Sequence, residues 1–311
     1  MVQDKRQKRY PRTIMATACI PWKEDYSFDE TTFKEFMQKL KESDLTYIYL
    51  FGTAGEGYAV SDSQFQKIVQ VFAEEMKEPA LHPIVGLISL SLPVMKERLD
   101  IAYQYGIRDF MVALPSWGRV SWPELIRFFD ELCTPYPDCS FIHYNNPRSK
   151  RMIEIPEYAV LAEKFPNLAA VKYSTTDLTI IRDMMETSSP LQYFITEPGF
   201  GYGSLIGETG LLLSISSINM RKAWEYFHAA SRKDWQAILQ HQEEIHGLTK
   251  ALINAVGSGR IDGAYDKVFC KMLHSDYPLR LLPPYKGAEQ GEFDEFLESV
   301  KSGYPQWLEQ I

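Results

Sequence analysis

The chain has 311 residues, 45% of them hydrophobic and 24% charged, with a formal net charge of −8. These are the proportions of an ordinary globular protein, and its basic residues are scattered, which argues against nucleic acid or an anionic membrane as the main partner. No run approaches the roughly 18 apolar residues of a membrane span. The four cysteines, Cys19, Cys133, Cys139 and Cys270, form no CxxC pair and no disulfide framework, so they read as reduced thiols of a cytoplasmic protein.

The chain opens with MVQDKRQKRYPR, which is basic but lacks the apolar stretch of a signal peptide. Residues 1–12 are therefore expected to be a solvated tail. From there short apolar runs alternate with amphipathic helical patterns. Strands are expected at 14–20, 47–51, 83–87, 109–113, 140–144, 169–173, 192–195 and 211–215. Helices are expected between them at 33–41, 63–76, 92–105, 123–132, 156–164 and 178–185. The segment 199–207 is glycine-rich and gives only a weak, short helical reading.

Alternating strands and helices at this spacing imply a parallel sheet, and strands apolar almost throughout imply cover on both faces. No Gly-x-Gly-x-x-Gly fingerprint follows the first strand, so a closed α/β barrel fits better than an open dinucleotide-binding sheet. The expected architecture is a (β/α)8 TIM barrel over 13–219. After it the pattern turns all-helical, at 220–230, 235–255, 265–274 and 293–308. Residues 220–311 are thus expected as a C-terminal helical extension packed on the barrel.

In such a barrel, chemistry sits where strands end and βα loops begin. The second strand candidate ends in Gly52-Thr53-Ala54-Gly55-Glu56-Gly57, the fifth in His143-Tyr144-Asn145-Asn146-Pro147, and the sixth runs into Lys172-Tyr173-Ser174. A lysine beside a buried apolar run must snorkel, pair, or carry a depressed pKa; the neutral amine is the nucleophile of Schiff-base enzymes. From periodicity alone, a lysine simply emerging into solvent is the commoner case. Tyr144 can pack as core or move protons. The Thr53-Ala54-Gly55 turn offers backbone N–H groups suited to a carboxylate, although such turns also exist without ligands. His143 and His82 have no partner at metal-ligand spacing, and neither HExxH nor G-x-S-x-G occurs, so no metal site and no serine nucleophile are expected.

Taken in order, Thr17-Ala18-Cys19-Ile20-Pro21, Gly52-Thr53-Ala54-Gly55-Glu56, Tyr144-Asn145-Asn146-Pro147 and Val171-Lys172-Tyr173-Ser174 resemble the dihydrodipicolinate synthase/N-acetylneuraminate lyase family of class I pyruvate-dependent aldolases and hydro-lyases. The resemblance runs from about Thr13 to Asn219. It implies that Lys172 forms a Schiff base with pyruvate or a related 2-oxo acid, and that Tyr144 relays protons. It also implies that Thr53, Ala54 and Gly55 hold the carboxylate, that no metal or organic cofactor is needed, and that the assembly is a homotetramer or dimer.

Several positions depart from the family pattern. Ala54 stands where a second hydroxyl is usual. Trp117 stands near where dihydrodipicolinate synthases place a relay tyrosine that crosses a subunit interface. Ser149 stands where they place an arginine, although Arg148 and Arg151 flank it. Trp117, Arg148 and Ser214, in the last strand candidate, complete the expected substrate-binding set. Sugar-acid aldolase or dehydratase, aromatic hydratase-aldolase and dihydrodipicolinate synthase follow in that order of preference. A barrel that binds a 2-oxo acid without turnover is the rival of another class, and a metal- or phosphate-dependent barrel enzyme is disfavoured.

Overall fold

Eight parallel strands close in chain order into a barrel: β1 (Ile14–Ala18), β2 (Tyr47–Leu50), β3 (His82–Gly86), β4 (Asp109–Val112), β5 (Ser140–Asn145), β6 (Leu168–Tyr173), β7 (Gln192–Thr196) and β8 (Gly210–Leu212). The computed structural model describes residues 7–309. Closure is made by β8 against β1, with Ile14 opposite Leu211 and Met15 opposite Leu212. The strands are apolar runs because helices cover their outer faces and packed side chains their inner ones. All six residues of β6 are buried.

Seven helices alternate with the strands: α1 (Glu30–Glu42), α2 (Asp62–Glu75), α3 (Leu92–Gln104), α4 (Trp122–Cys133), α5 (Ile155–Lys164), α6 (Leu178–Glu186) and α7 (Glu197–Ile206). Their starts are legible as caps. In α2 the Ser61 hydroxyl accepts from the Gln64 amide, while the Gln64 side chain accepts from the Ser61 amide. Phe65, Ile68, Val69 and Phe72 then recur at helical spacing as its buried face. The weakly read segment becomes α7, whose glycines form a packing face. A Cβ on Gly199 would stand 2.7 Å from Ile195 Cγ2, and one on Gly201 would stand 2.7 Å from Ile238 Cγ2. Glycine here lets the helix lie closer to its neighbours than side chains allow.

Four more helices follow β8: α8 (Met220–Arg232), α9 (Trp235–Val256), α10 (Asp262–Leu273) and α11 (Gln290–Gly303). The first belongs to the barrel and not to the extension. It packs against α7, and Trp224 Nε1 donates to the Ser43 carbonyl just past α1 at 2.9 Å, which closes the helical ring. The barrel thus continues past the expected boundary at 219 to the end of α8. Helix α9 packs on α7, α8 and α11, while α10 lies beside α1 at the end of the barrel where the strands finish.

The opposite end is plugged by the N-terminal segment. Lys8 Nζ donates to the carbonyls of Ser189 and Leu191, each at 2.9 Å, and Arg12 Nε donates to the Thr209 carbonyl at 2.8 Å. Between them Tyr10 is buried, and its hydroxyl donates to the Asp109 carboxylate at 2.6 Å. The solvated tail expected over 1–12 therefore fails over 8–12, because these basic groups cap carbonyls at the rim of the floor; residues 1–6 lie outside the described residues. Among the described residues no helix is long and apolar enough to cross a membrane.

Candidate active site

Lys172 and Tyr144 are the next-to-last residues of β6 and β5, and they stand directly opposite each other in the parallel register. Both side chains are buried inside the barrel. The Lys172 ammonium lies 4.0 Å from the centroid of the Tyr144 ring and 4.6 Å from that of Tyr49, both cation–π distances. Among the described residues its one side-chain hydrogen bond runs from Nζ to the Tyr49 hydroxyl, 2.9 Å away. Tyr49 comes from β2 and escaped the sequence reading; only its place one residue before the end of a strand marks it.

Burial works to lower the Lys172 pKa, but Tyr49, Tyr144 and Asp262 work to raise it, and the balance lies above the ordinary lysine value. Of the three readings of a lysine at a strand end, the resting site shows a paired one, hydrogen-bonded to Tyr49. Its amine must shed a proton before it can attack a carbonyl. Tyr49 itself is held neutral at physiological pH, since burial lifts its pKa despite the neighbouring ammonium.

These residues line a cavity of about 330 Å³ at the C-terminal mouth of the barrel, together with Ala54, Ser174, Thr196, Glu197 and Ser214. The cavity roof comes from the extension, chiefly Ile245, Leu252 and Ile253 of α9 and Asp262, Tyr265, Asp266 and Phe269 of α10. The C-terminal helices, expected as an appendage, therefore form a wall of the site. Glu197 is buried at the start of α7 and accepts from the amides of Ser214 and Ser216 at 2.7 and 3.1 Å, which fixes the loop after β8. Burial raises its pKa.

The turn after β2 supplies backbone donors. Glu56 N and Gly57 N bond to the carbonyls of Thr53 and Gly52, but among the described residues no protein acceptor takes the amides of Thr53, Ala54 or Gly55. Ala54 faces the cavity, while Thr53 and Gly55 are buried in the turn behind it. Unpaired backbone amides beside a cavity suit an anion. The turn is clamped from α10. Glu56 and Lys267 form a fully buried ion pair at 2.7 Å, and Glu56 also accepts from Trp22 Nε1 at 2.8 Å and from the Leu282 amide at 2.6 Å. Gly263 permits the contact, since a Cβ there would stand 3.1 Å from the Ala54 carbonyl oxygen.

The remaining expected residues separate. Trp117, on the loop after β4, is 82% exposed and outside the cavity, so it does not line this chain's own site. Arg148 stands at the rim and pairs with Asp262 at 2.6 Å. Arg151 is turned away, donating to the Val120 carbonyl and the Glu157 carboxylate, and Ser149 is buried. His143 is buried, with Nδ1 2.6 Å from the Tyr158 hydroxyl, and burial lowers its pKa to about 3.

The chain is similar to known proteins along most of its length. The model of the dihydrodipicolinate synthetase family matches residues 10–289. The N-acetylneuraminate lyase of Pongo abelii is 23% identical over 248 residues, which cover 76% of this chain and 76% of that protein. A probable 5-dehydro-4-deoxyglucarate dehydratase of Bradyrhizobium diazoefficiens is 25% identical over 168 residues, 54% of this chain and 52% of its own. Among solved structures, the Proteus mirabilis N-acetylneuraminate lyase superposes with a TM-score of 0.83 at 16% identity, covering 94% of this chain and 99% of that one.

Proposed function

The chain belongs to the dihydrodipicolinate synthetase family of lyases, and on that premise we propose that it holds pyruvate or a related 2-oxo acid as a Schiff base on Lys172. The observation that carries this reading is the pairing of Lys172 with Tyr144 across β6 and β5 beneath an open cavity. The free amides of Thr53, Ala54 and Gly55 take the substrate carboxylate. Lys172 attacks C2, and Tyr144 moves the proton that lets the C2 oxygen leave as water. The iminium then withdraws electrons, so that a neighbouring C–C or C–O bond breaks or forms. No metal or organic cofactor enters this chemistry.

Borohydride added with pyruvate tests it. One covalent mass increment should appear on Lys172, and Lys172→Ala should abolish it; labelling unchanged in that variant sinks the mechanism. A trapped adduct that never leads to turnover with any 2-oxo acid aldol would favour the non-catalytic binding barrel.

For the second substrate we favour a hydroxylated, sugar-acid-like chain, in an aldolase or dehydratase reaction. Ser174, Thr196 and Thr249 offer hydroxyls in the cavity, and the relatives include proteins named for such substrates. Dihydrodipicolinate synthesis is disfavoured by Trp117 outside the cavity and by Arg148 held on Asp262. A coupled assay with pyruvate and aspartate semialdehyde should give negligible condensation. The same reading makes the protein a cytoplasmic oligomer, a tetramer or dimer. Its four cysteines are free thiols, and exposed Trp117 has the most to gain from cover by a second copy.

A further inference from the structure

Asp262 and Asp266 stand one turn apart on α10 and both face the cavity, but they are differently engaged. Asp262 pairs with Arg148. Among the described residues Asp266 makes no ion pair and no other side chain hydrogen-bonds its carboxylate, which is bonded to its own backbone amide. Nor is its position accidental. Gly263 packs on the Ala54 carbonyl and Lys267 is locked to Glu56, so the contacts that hold the carboxylate-binding turn also hold Asp266 over it. A half-buried carboxyl group that lines a reaction cavity and has no side-chain partner, only its own backbone amide, is costly to the fold.

Resting on the Schiff-base reading of Lys172, we propose that Asp266 is the base that removes the C3 proton of the bound 2-oxo acid and the acid that returns it. In the iminium the C3–H bond breaks and its electron pair forms the C2=C3 bond. The C=N π pair becomes the nitrogen lone pair, and the proton passes to the Asp266 carboxylate. The products are a neutral enamine and a neutral carboxylic acid, and the reverse step restores both. No further reactant is needed. Tyr144 keeps the separate task of moving protons at the C2 oxygen.

The groups around Asp266 suit this work. Asp262, Lys267 and Cys270 share its helix; Lys172 faces it from β6, Glu197 from α7, Tyr49 from β2 and Cys19 from the segment after β1. Burial first, and Asp262 next, push the Asp266 pKa up to about 8 against the opposing charge of Lys172. A base of that strength takes and returns protons near neutral pH.

The test needs only pyruvate. Exchange of its methyl protons in D2O is followed by NMR, beside borohydride capture on the same protein. The wild type should exchange, faster as the pH rises through about 8. Asp266→Asn should still capture pyruvate on Lys172 but exchange it roughly 10²–10⁴-fold more slowly, without that pH limb. Asp266→Glu should recover part of the rate. Wild-type exchange in Asp266→Asn with capture intact would overturn the proposal. So would parallel loss of capture and exchange in both variants, which would make Asp266 a support of the fold. Failure of the wild type to capture pyruvate would remove the Schiff-base reading and this proposal together.

Discussion

At the floor of the barrel Tyr10 packs edge-on against Tyr47 and Phe194, with centroids 5.7 and 5.9 Å apart, and its hydroxyl donates a hydrogen bond to Asp109. At the mouth Tyr49 and Tyr144 pack around Lys172 with much the same materials: phenols, one buried charge, aromatic contacts. The difference lies in what is left over. The floor is closed by the chain's own N-terminal segment, and Asp109 has its donor. Among the described residues, the mouth keeps three unused amides, a carboxyl group with no side-chain partner and a cavity of about 330 Å³. Buried polar groups are normally satisfied by the fold. Where they are not, and space adjoins them, a ligand can complete the set.

The largest effect should come at the mouth. Tyr144→Phe keeps the ring beside the Lys172 ammonium and removes only the hydroxyl, so fold and pyruvate binding should survive. Schiff-base formation, followed by the rate of borohydride capture, should slow by roughly 10²–10⁴-fold. Wild-type kinetics would make Tyr144 a packing residue like Tyr10 and blur the contrast between the two ends. The next effect is on the clamp that makes the mouth rigid. Glu56→Gln leaves Lys267 buried without its counter-charge, and breaking one partner of a buried pair costs about 3–5 kcal/mol. Urea unfolding should show that loss, and pyruvate capture should weaken with it. A full stability loss with unaltered capture would show that the clamp does not shape the turn.

The floor should respond in stability alone. Tyr10→Phe removes the Tyr10 donor from Asp109 and leaves it Ser140 alone, a loss of about 1–3 kcal/mol for a largely buried acceptor, with turnover unchanged. Its pH dependence has a definite sign. Burial raises the Asp109 pKa above the ordinary carboxyl value, and the Tyr10 hydrogen bond opposes that rise. A carboxyl group with a raised folded pKa favours the fold at low pH and loses that contribution as the pH climbs from the unfolded towards the folded value. Removing Tyr10 raises the folded value further. The deficit of the variant should therefore be largest at neutral pH and shrink towards about pH 4. A deficit that grows on acidification would break this account.

The strand order and the two central residues were readable from the sequence because they rest on local signals. A strand buried on both faces must be apolar, and a lysine or tyrosine at its end breaks that run visibly. Other features rest on distant contacts. Basic residues that cap carbonyls, as Lys8 and Arg12 do, look the same in sequence as basic residues in water. The glycines of α7 weaken its helical pattern and are explained only by Ile195 and Ile238 pressing on it. Tyr49 carries no mark beyond its place near a strand end. Asp262 and Asp266 read as an ordinary polar helix face until α10 is laid over the mouth. Trp117 was assigned to the site by resemblance, and its exposed place on the loop after β4 takes it out of the chain's own cavity.

The smallest expected effect is at Ala54, and it sharpens the contrast by asking how the mouth binds an anion. If the carboxylate is held by the amides of Thr53, Ala54 and Gly55, the missing hydroxyl at position 54 is a modest loss. Ala54→Thr should then preserve or tighten pyruvate binding, since a neutral hydrogen bond nets only about 0.5–1.5 kcal/mol. The added atoms enter the cavity, because Ala54 already lines it, and Gly263 meets the carbonyl group of Ala54 rather than its side chain. Titration of pyruvate capture against concentration reads the change directly. A shift of several-fold or less towards tighter binding fits amide recognition. Complete loss of capture would mean that alanine is there for room, and that the carboxylate or a bulkier chain occupies the space a threonine side chain would fill.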